Sequence, residues 1–495
     1  MFPDLKQFKA LSKKFNYIPI TTSYIADTIT PVSALAVLNS DENCFLLESI
    51  TGGTSVSRYS FLGFGKTKIF KCFNKQITMI ENGKKRVYTS DDPLEELNKY
   101  SLQWKCPSLH GMPIFQGGGV GYISYDMFRT VENLPNCPND DLEVPDILFG
   151  FHEILLAFDH AKRIMTIIVH ADLTIDKAEV AYEKAKVKIN QTLKKLKMAI
   201  HLPLVTYQNI AGPLKIKYTS NVSKKEFINN VKTIKEHIKA GDIFQCVLSQ
   251  RLETKLKASP LNVYRALRAV NPSPYMFYLK FDDFLLLGSS PEILVSVDQK
   301  KKITVRPIAG TRHRGATETE DLALADNLLN DPKEISEHTM LVDLARNDIG
   351  RVANYKSISI EEKMIIEYYS HVMHIVSTVT GKLKSNLNIM HAFKSCFPAG
   401  TLTGAPKIRA MQILDKLETT KRGPFGGGVG YIDYRGHLDT CITIRTILLK
   451  NGKAYVQAGA GIVADSVPES EYQETLNKTR GMLKAIEIAE AAFDK

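Results

Sequence analysis

The chain has 495 residues, 44% hydrophobic and 24% charged, with a formal net charge of +11, a composition that suits a globular protein. No apolar run reaches the roughly 18 residues that a bilayer span needs, and the N-terminus shows neither an apolar signal core nor a small-residue cleavage site, so no membrane is expected and the cytoplasm is the expected location. The basic balance leaves nucleic acid or anionic partners open, but no zinc-finger spacing or aromatic-rich basic motif occurs, and nucleic acid is not expected.

In chain order, the first half reads as short strands and turns. Cys44–Ser49, Thr67–Phe73, Gln76–Ile80 and Ile164–Val169 carry strand patterns, with Gly-Gly, Asn-Gly and Asp-Pro punctuation between them. A Lys-rich helix is predicted over about 176–199. Its most basic stretch, Lys184 to Lys197, interleaves Val187, Ile189, Leu193 and Leu196, the pattern of a surface helix with a solvated face. Leu202 to Pro213, with its prolines and glycine, reads as a linker. The division is therefore 1–215 and 216–495.

The second half opens on Ser223-Lys-Lys-Glu226, a capping box. Phe227, Val231, Ile234 and Ile238 follow at helical spacing, and Gly241 is placed to end the helix. Strands are predicted at Ile243–Gln250, Leu285–Leu287, Ile293–Val297, Ile303–Val305, Cys441–Leu449 and Ala454–Ala458, and helices at 332–346, 406–418 and 468–491. Asn451-Gly452 is a hairpin turn and favours antiparallel pairing. The fold class is α+β, with mostly antiparallel sheets and not a doubly wound parallel sheet. One segment repeats: Gly117–Ile123 recurs without change as Gly426–Ile432. Glycines inside strands mark bulges or close backbone approach, which leaves two readings: two similar hairpins or, for the second copy, a backbone wall against a ligand. Neither copy fits a phosphate loop. The seven cysteines are widely spaced without Cys-x-x-Cys, so reduced, buried thiols are expected and not a disulfide framework or a zinc site.

Two Glu-x-x-Glu pairs open helices. Glu334 and Glu337 follow Asp331-Pro332, a good N-cap and first helical residue; Glu471 and Glu474 follow Pro468. At i,i+3 each pair projects from one face of its helix. Spacing alone leaves two readings open. Carboxylates are favoured at a helix N-terminus by its dipole, and Glu334 could complete a capping box with Asp331. Two facing pairs would also give four hard oxygen donors, which suits magnesium.

Several segments together resemble the chorismate-utilising enzymes: Gly241-Asp-Ile-Phe-Gln-Cys-Val-Leu-Ser249, Arg306-Pro-Ile-Ala-Gly-Thr311, Glu337-His-Thr-Met-Leu-Val-Asp343 with Arg346-Asn-Asp348, and Pro398-Ala-Gly-Thr-Leu-Thr-Gly-Ala-Pro-Lys407. Gly459-Ala-Gly-Ile-Val463 and Pro468–Thr475 fit as well, so the likeness spans about 220–480. It implies sheets packed face to face with helices outside. It also implies Mg2+ on Glu337 and Glu474, with Glu334 and Glu471 acting through water, and chorismate as substrate. Arg445 and the turn Gly459, Ala460, Gly461 would take the substrate's carboxylates, with Thr311 and Phe425 beside it; Phe425 stands where many relatives carry Tyr, which removes a hydroxyl contact. Lys407 would add positive field. Water-using members carry Lys where Gln245 stands; a Gln cannot take a proton at neutral pH but can orient ammonia. Aminodeoxychorismate-forming members carry a nucleophilic Lys where Ala309 stands. The implied reaction is therefore ammonia-dependent lysis of chorismate to anthranilate and pyruvate, the aminodeoxychorismate reaction being the enzymatic alternative and a silent tryptophan-sensing subunit the non-enzymatic one. His374, Thr401, Gln245 and Glu292 are the implied catalytic residues, Glu292 as the acid toward the departing hydroxyl.

The chain has no cysteine in a nucleophile-elbow setting with a C-terminal His-x-Glu, so the resemblance implies a separate glutamine amidotransferase subunit that supplies ammonia. Leu46-Leu-Glu-Ser49, Arg58-Tyr-Ser60 and Asn271-Pro-Ser-Pro-Tyr-Met276 are similar to the family's tryptophan feedback pocket. Glu48 and Ser49 would hold the amino group and Tyr275 and Met276 flank the indole, with Arg58, Pro272, Ser273, Pro274 and Cys441 completing the set.

Overall fold

A computed structural model describes residues 1–39, 43–50, 58–198, 202, 212–369 and 372–492. Most of the Leu202–Pro213 linker lies outside the described residues. The first half runs α1 (Leu5–Leu11), β1 (Tyr17–Ile25), α2 (Pro31–Leu38), β2 (Cys44–Glu48), β3 (Tyr59–Phe73), β4 (Gln76–Glu81), β5 (Lys84–Thr89), α3 (Pro93–Leu102), β6 (Gly118–Ile123), β7 (Ile147–Asp159), β8 (Ile164–Asp172) and α4 (Ala178–Leu196). The second runs β9 (Thr219–Ser220), α5 (Lys224–Lys239), β10 (Gln245–Lys255), α6 (Pro260–Val270), β11 (Tyr275–Lys280), β12 (Phe284–Ser290), β13 (Ile293–Val297), β14 (Lys302–Val305), β15 (Ile308–His313), α7 (Glu318–Leu329), α8 (Pro332–Gly350), β16 (Ser359–Tyr368), β17 (Val372–Lys382), α9 (Ile389–Cys396), β18 (Gly404–Ala405), α10 (Lys407–Leu417), β19 (Gly428–Asp433), β20 (Leu438–Ile442), β21 (Thr446–Lys450), β22 (Lys453–Ile462) and α11 (Pro468–Ala492).

Local signals account for many of these boundaries. Ser223 accepts a hydrogen bond from the Glu226 N–H and starts α5; Gly241, at φ +80°, follows its end. Asn451 and Gly452, both at positive φ, make the two-residue turn between β21 and β22.

All strand pairs between these elements are antiparallel and form two sheets. The first runs β1-β8-β7-β3-β2-β11-β12-β21-β22-β10. The second runs β5-β4-β3-β7-β6-β19-β20-β13-β14-β17, with β15 and β16 also on β17. The long strands β3 and β7 belong to both sheets and bend where their register shifts between Phe64 and Thr67, beside Gly65 at φ +84°. The sheets face each other across Phe45, Phe61, Tyr122, Phe277, Leu286 and Tyr431. Helices α1, α2, α4, α6 and α11 cover the outside of the first sheet; α3, α8 and α9 cover the second. This is the expected α+β class with helices outside. Both halves of the chain supply strands to each sheet, so residues 1–215 and 216–495 share one layered core.

The repeated segments lie side by side. β6 pairs with β19, and Gly121 faces its counterpart Gly430. The glycines permit close approach to the next strand on each side: a Cβ on Gly121 would sit 1.9 Å from Leu148 O, and one on Gly430 1.9 Å from Asp439 O. The predicted strand Cys441–Leu449 is in fact two. It breaks at Thr443–Arg445, where Arg445 takes φ +50° and the chain passes from the second sheet to the first. β10 likewise begins at Gln245, not Ile243, and runs on to Lys255.

The glycine repeat gives a direct expectation. Gly430→Ala should lower stability by about 3 kcal/mol, because backbone must move, whereas Gly436→Ala, at φ +82° with open space around it, should cost only about 1 kcal/mol. Urea denaturation midpoints compare the two; equal losses would mean that the β19–β20 approach is not tight.

Candidate active site

Two strands change sheets at the same level. β12 gives way to β13 at Pro291-Glu292, and β20 gives way to β21 at Thr443–Arg445. The crossings brace each other: Ile442 N–H donates to Glu292 O at 3.0 Å, and Ser289 N–H donates to Arg445 O at 3.1 Å. Each crossing turns a side chain out of the regular alternation, Glu292 from one and Arg445 from the other.

Glu292 is 9% exposed. Its Oε1 accepts from Thr401 Oγ at 3.5 Å, and burial without a nearby cation pushes its carboxyl up to about 8. Tyr369 lies close enough to feel the Glu292 charge and meets the His374 ring edge-on, with centroids 5.4 Å apart. His374, on β17, places Nδ1 3.0 Å from both Gly310 O and Thr311 Oγ. An Nδ1 held against a carbonyl is the donor, which leaves Nε2 with its lone pair. Burial lowers the His374 pKa, and the Arg445 charge lowers it further, so the ring is neutral near pH 7. Arg445 donates to Lys478 O at 3.0 Å; burial lowers its pKa and the Glu474 charge opposes that.

The two acidic helix starts meet here. Asp331 caps α8 by accepting from the Lys333 and Glu334 N–H groups, and Pro332 is its first residue. Glu334 turns toward Arg312, 3.4 Å away, and does not close a capping box. Glu337, at the open mouth, is raised by desolvation and then by the charges of Glu334 on its own helix and Glu474 on α11. Glu471 is raised by desolvation and by Glu474, against Ser466, Lys478 and Lys333, the last reaching across from α8. Lys478 Nζ lies 2.6 Å from Glu474 Oε1 and donates to Gly459 O at 3.0 Å. As the side chains stand, no group of three described His, Cys, Asp or Glu residues is at metal-ligating spacing. The donor set nevertheless fits a hard divalent cation: it is all oxygen and like-charged, with Glu337 and Glu471 held above their ordinary range by desolvation first and by neighbouring carboxylates second.

Gln245 heads β10 beside Ala405, and its Nε2 would lie 2.9 Å from a Cβ on Gly461, so glycine leaves that space open. Gly459, Ala460 and Gly461 pair with Ser249, Leu248 and Val247 and form a strand wall next to the carboxylates. Lys407 is spent on Asp348 at 3.3 Å. Phe425 is buried in the core outside the second sheet, near the Arg422 guanidinium. Three neighbours were not anticipated. Lys478 was legible as the i+4 partner of Glu474; Arg312 and Tyr369 carried no sequence signal.

The nine residues expected to form a feedback pocket divide between two faces. Glu48 is buried on the outer side of the first sheet, where Tyr264 Oη donates to it at 2.8 Å and Arg268 pairs with it at 2.9 Å. Met276 packs in that same outer core. Tyr275 reaches Asp439 at 3.5 Å on the side where Cys441 is buried between the sheets. Adjacent strand residues point to opposite faces, so Tyr275 and Met276 pack on opposite sides of the first sheet. Ser49 Oγ is buried without a partner among the described residues. Arg58 pairs with Asp159 at 2.8 Å, and Ser273 O accepts from the Ile50 N–H at 3.2 Å, which ties the Pro272-Ser273-Pro274 turn to the end of β2. A cavity of about 410 Å3 opens beside Glu48, Ser49, Ser60, His160 and Arg268.

A sequence profile of the chorismate binding enzymes matches residues 42–484. The chain is 47% identical to anthranilate synthase component 1 of Acetivibrio thermocellus, over 99% of both chains. It is 44% identical to the protein of that name from Pseudomonas aeruginosa, over 97% of both. Among solved structures, anthranilate synthase component I from Streptococcus pneumoniae is similar at a TM-score of 0.75 and 36% identity, covering 93% of this chain and 98% of that one. The menaquinone-specific isochorismate synthase MenF of Escherichia coli shares the fold, with a TM-score of 0.69 at 17% identity over 97% of this chain and 98% of that one.

The burial of Glu292 has a consequence for stability. Between its ordinary pKa of 4.5 and the folded value of about 8, the folded state keeps a proton that the unfolded chain has lost, so this group's contribution falls as pH rises through that window. Glu292→Gln removes that dependence. Urea titrations at pH 5, 7 and 8 should show the variant gaining on the parent as pH rises; a constant gap would place Glu292 in contact with solvent or a cation.

Proposed function

The chain belongs to the chorismate-binding enzymes, and from that membership we propose that it is component I of an anthranilate synthase, a magnesium-dependent lyase (an oxo-acid-lyase) that converts chorismate and ammonia to anthranilate and pyruvate, the first step toward L-tryptophan. The observation that carries the reading is one cleft in which the carboxylates of α8 and α11 face Arg445 and the Gly459–Gly461 wall, with Gln245 beside them. A cyclic dicarboxylate needs such a pairing of a cation site with a guanidinium. Gln245 and Ala309 favour ammonia as the nucleophile, since neither can serve as base or covalent nucleophile.

Glu337 and Glu474 would hold Mg2+, with Glu334 and Glu471 reaching it through water. When bound, the ion supplies positive charge to the ring carboxylate and draws electron density from the ring. Lys478 then loses its place on Glu474. Arg445 and the N–H groups of the Gly459–Gly461 wall orient the substrate's carboxylates. Gln245 orients ammonia for attack at ring carbon 2. Glu292, protonated at neutral pH, gives its proton to the hydroxyl leaving carbon 4. His374, through Nε2 and with Thr401 nearby, takes the carbon 2 proton as pyruvate departs and the ring becomes aromatic. A glutamine amidotransferase subunit would bind this chain and supply the ammonia. L-Tryptophan would act as feedback inhibitor through the N-terminal region, residues 1–215, while residues 216–495 carry catalysis. The expected setting is the cytoplasm; none of the described helices is long and apolar enough to cross a membrane.

Purified chain given chorismate, Mg2+ and ammonium should form blue-fluorescent anthranilate, and EDTA should abolish it. A non-aromatic amino product would point to the aminodeoxychorismate reaction, and unchanged chorismate to a silent subunit.

The acid role of Glu292 predicts that kcat falls as pH rises through about 8. Glu292→Gln should lower kcat by about a hundredfold or more and lose that limb. A variant that keeps the limb would assign it to another group.

A further inference from the structure

The strand registers reveal an internal twofold that relates the two halves of the chain, and it places a second cavity where the first half would carry an active site. Gly121 faces its repeat counterpart Gly430 in the second sheet. Extending the match from there through the pairings is unambiguous. β7 matches β20 and β21, Ile147 falling on Leu438 and Asp159 on Lys450. β3 matches β12 and β13, Tyr59 falling on Phe284 and Cys72 on Val297. β8 matches β22, and β1 matches β10. β2 matches β11, and there Leu46 faces its own counterpart Tyr278, so the axis crosses both sheets. The buried faces of α4 and α11 align in the same way: Ala185, Ile189 and Leu196 fall on Thr475, Thr479 and Ile486.

Carried through this match, the positions of Glu292, Gly459, Gly461, Glu471, Glu474 and Lys478 fall on the lining of one cavity of about 610 Å3 in the first half, while that of Arg445 falls on Ile154, outside it. Thr67 takes the place of Glu292, His170 that of Gly459, and Asp172 that of Gly461. Lys184 takes the place of Glu474, Ala181 that of Glu471, and Lys188 that of Lys478. The carboxylates that would hold a cation are gone from α4, so this copy is not a metal site. Its charges are balanced instead. Lys66, Lys68, Lys184 and Lys188 line it together with Glu153, Asp172, Asp176 and Asp282. Lys68 pairs with Asp172 at 3.0 Å, Lys184 with Asp176 at 2.6 Å, and Lys188 with Glu153. Tyr17 and Phe151 supply an apolar wall. His170, 2% exposed, stacks on Tyr17 at 4.8 Å, and among the described residues neither ring nitrogen has a hydrogen-bond partner. A buried imidazole left unpaired on a cavity wall is a cost that a bound polar group would remove.

We propose that this cavity is a second small-molecule site, without metal, that takes a small zwitterion with an apolar body, the chemistry of a free aromatic amino acid. A wall presenting both signs at zero net charge disfavours a ligand carrying one sign alone, and rewards one whose carboxylate meets the lysines while its ammonium meets the acids. The match of the cavity to an active site rests on the function proposed above; the binding chemistry does not.

L-Phenylalanine is the probe, titrated into the full chain by calorimetry beside 3-phenylpropionate and phenethylamine, which each keep one of its charges. Binding of L-phenylalanine with both analogues weaker by about tenfold or more is expected. Lys184→Glu, on an exposed helix face, should remove it, as should His170→Phe if that variant keeps its circular dichroism. Glu48→Gln and Glu474→Gln should leave it intact, which separates this cavity from the feedback region and from the active site. Absence of binding at millimolar probe, equal binding of the analogues, or binding that survives Lys184→Glu would each overturn the proposal, and anthranilate formation in the same preparation shows independently whether the active-site reading stands.

Discussion

Two strands leave one sheet for the other at the same level, and the hydrogen bonds between their crossings fix the geometry on which the candidate site depends. In a regular antiparallel sheet successive side chains alternate between two faces, both already committed to a core. A crossing is the place where a side chain escapes that alternation while its backbone stays held on both sides. Glu292 and Arg445 are the two side chains so released. Arg445 takes a left-handed backbone, which a non-glycine residue adopts at a cost of about 1 kcal/mol or more. The layers around it, with helices on both outer faces, bury enough apolar surface to absorb that cost.

The electrostatics of the cleft divide along the same geometry. Glu292 lies deep, away from any cation strong enough to ionise it, and is neutral at pH 7. Of the four helix-start carboxylates at the mouth, Glu337 and Glu471 are raised by desolvation first and by their like-charged neighbours second. Carboxyls of one site are thus raised by burial alone at depth and by burial together with like charge at the mouth. Lys478 offsets part of the repulsion at the mouth, and its contact with Gly459 O ties α11 to the strand wall. His374 is tuned the other way, kept neutral by burial and by Arg445.

What the sequence made legible was local or periodic. Asp331-Pro332 marked the start of α8, Asn451-Gly452 the hairpin, and hydrophobic spacing the helices at 224–239 and 468–492. The break at Thr443–Arg445 was not legible, because its flanking residues all favour strand and the distortion is imposed by the second sheet. The feedback set was read from likeness to a family motif, and only the register shows which side of the sheet each of its residues takes. Tyr275 and Met276 alternate across one sheet, and Glu48 pairs with Tyr264 and Arg268. The glycine repeat was seen, but that its copies pair with each other follows only from the register. Tyr369 carries no local signature, since an aromatic at the end of a strand is ordinary until the ring it meets is known.

The internal twofold explains why the chemistry sits in one half. Both halves build matching strands with a helix laid against them, and in the first half a cavity lies beside α4 at the sheet edge. In the first half β7 runs unbroken through His152–Ile154, whereas its counterpart breaks at Thr443–Arg445 and turns an arginine inward. Side chains fill the wall of the first copy at His170 and Asp172, where Gly459 and Gly461 leave backbone bare in the second. The difference between the copies therefore comes as much from side chains removed as from side chains gained: glycines leave the backbone bare, an arginine takes a strained backbone at the crossing, and carboxylates on α11 stand where α4 carries lysine and alanine. A half that kept its lysines paired with its own acids holds that space by ion pairs, and a half that exchanged them presents open backbone and like-charged carboxylates, the donor set on which the proposed cation site rests.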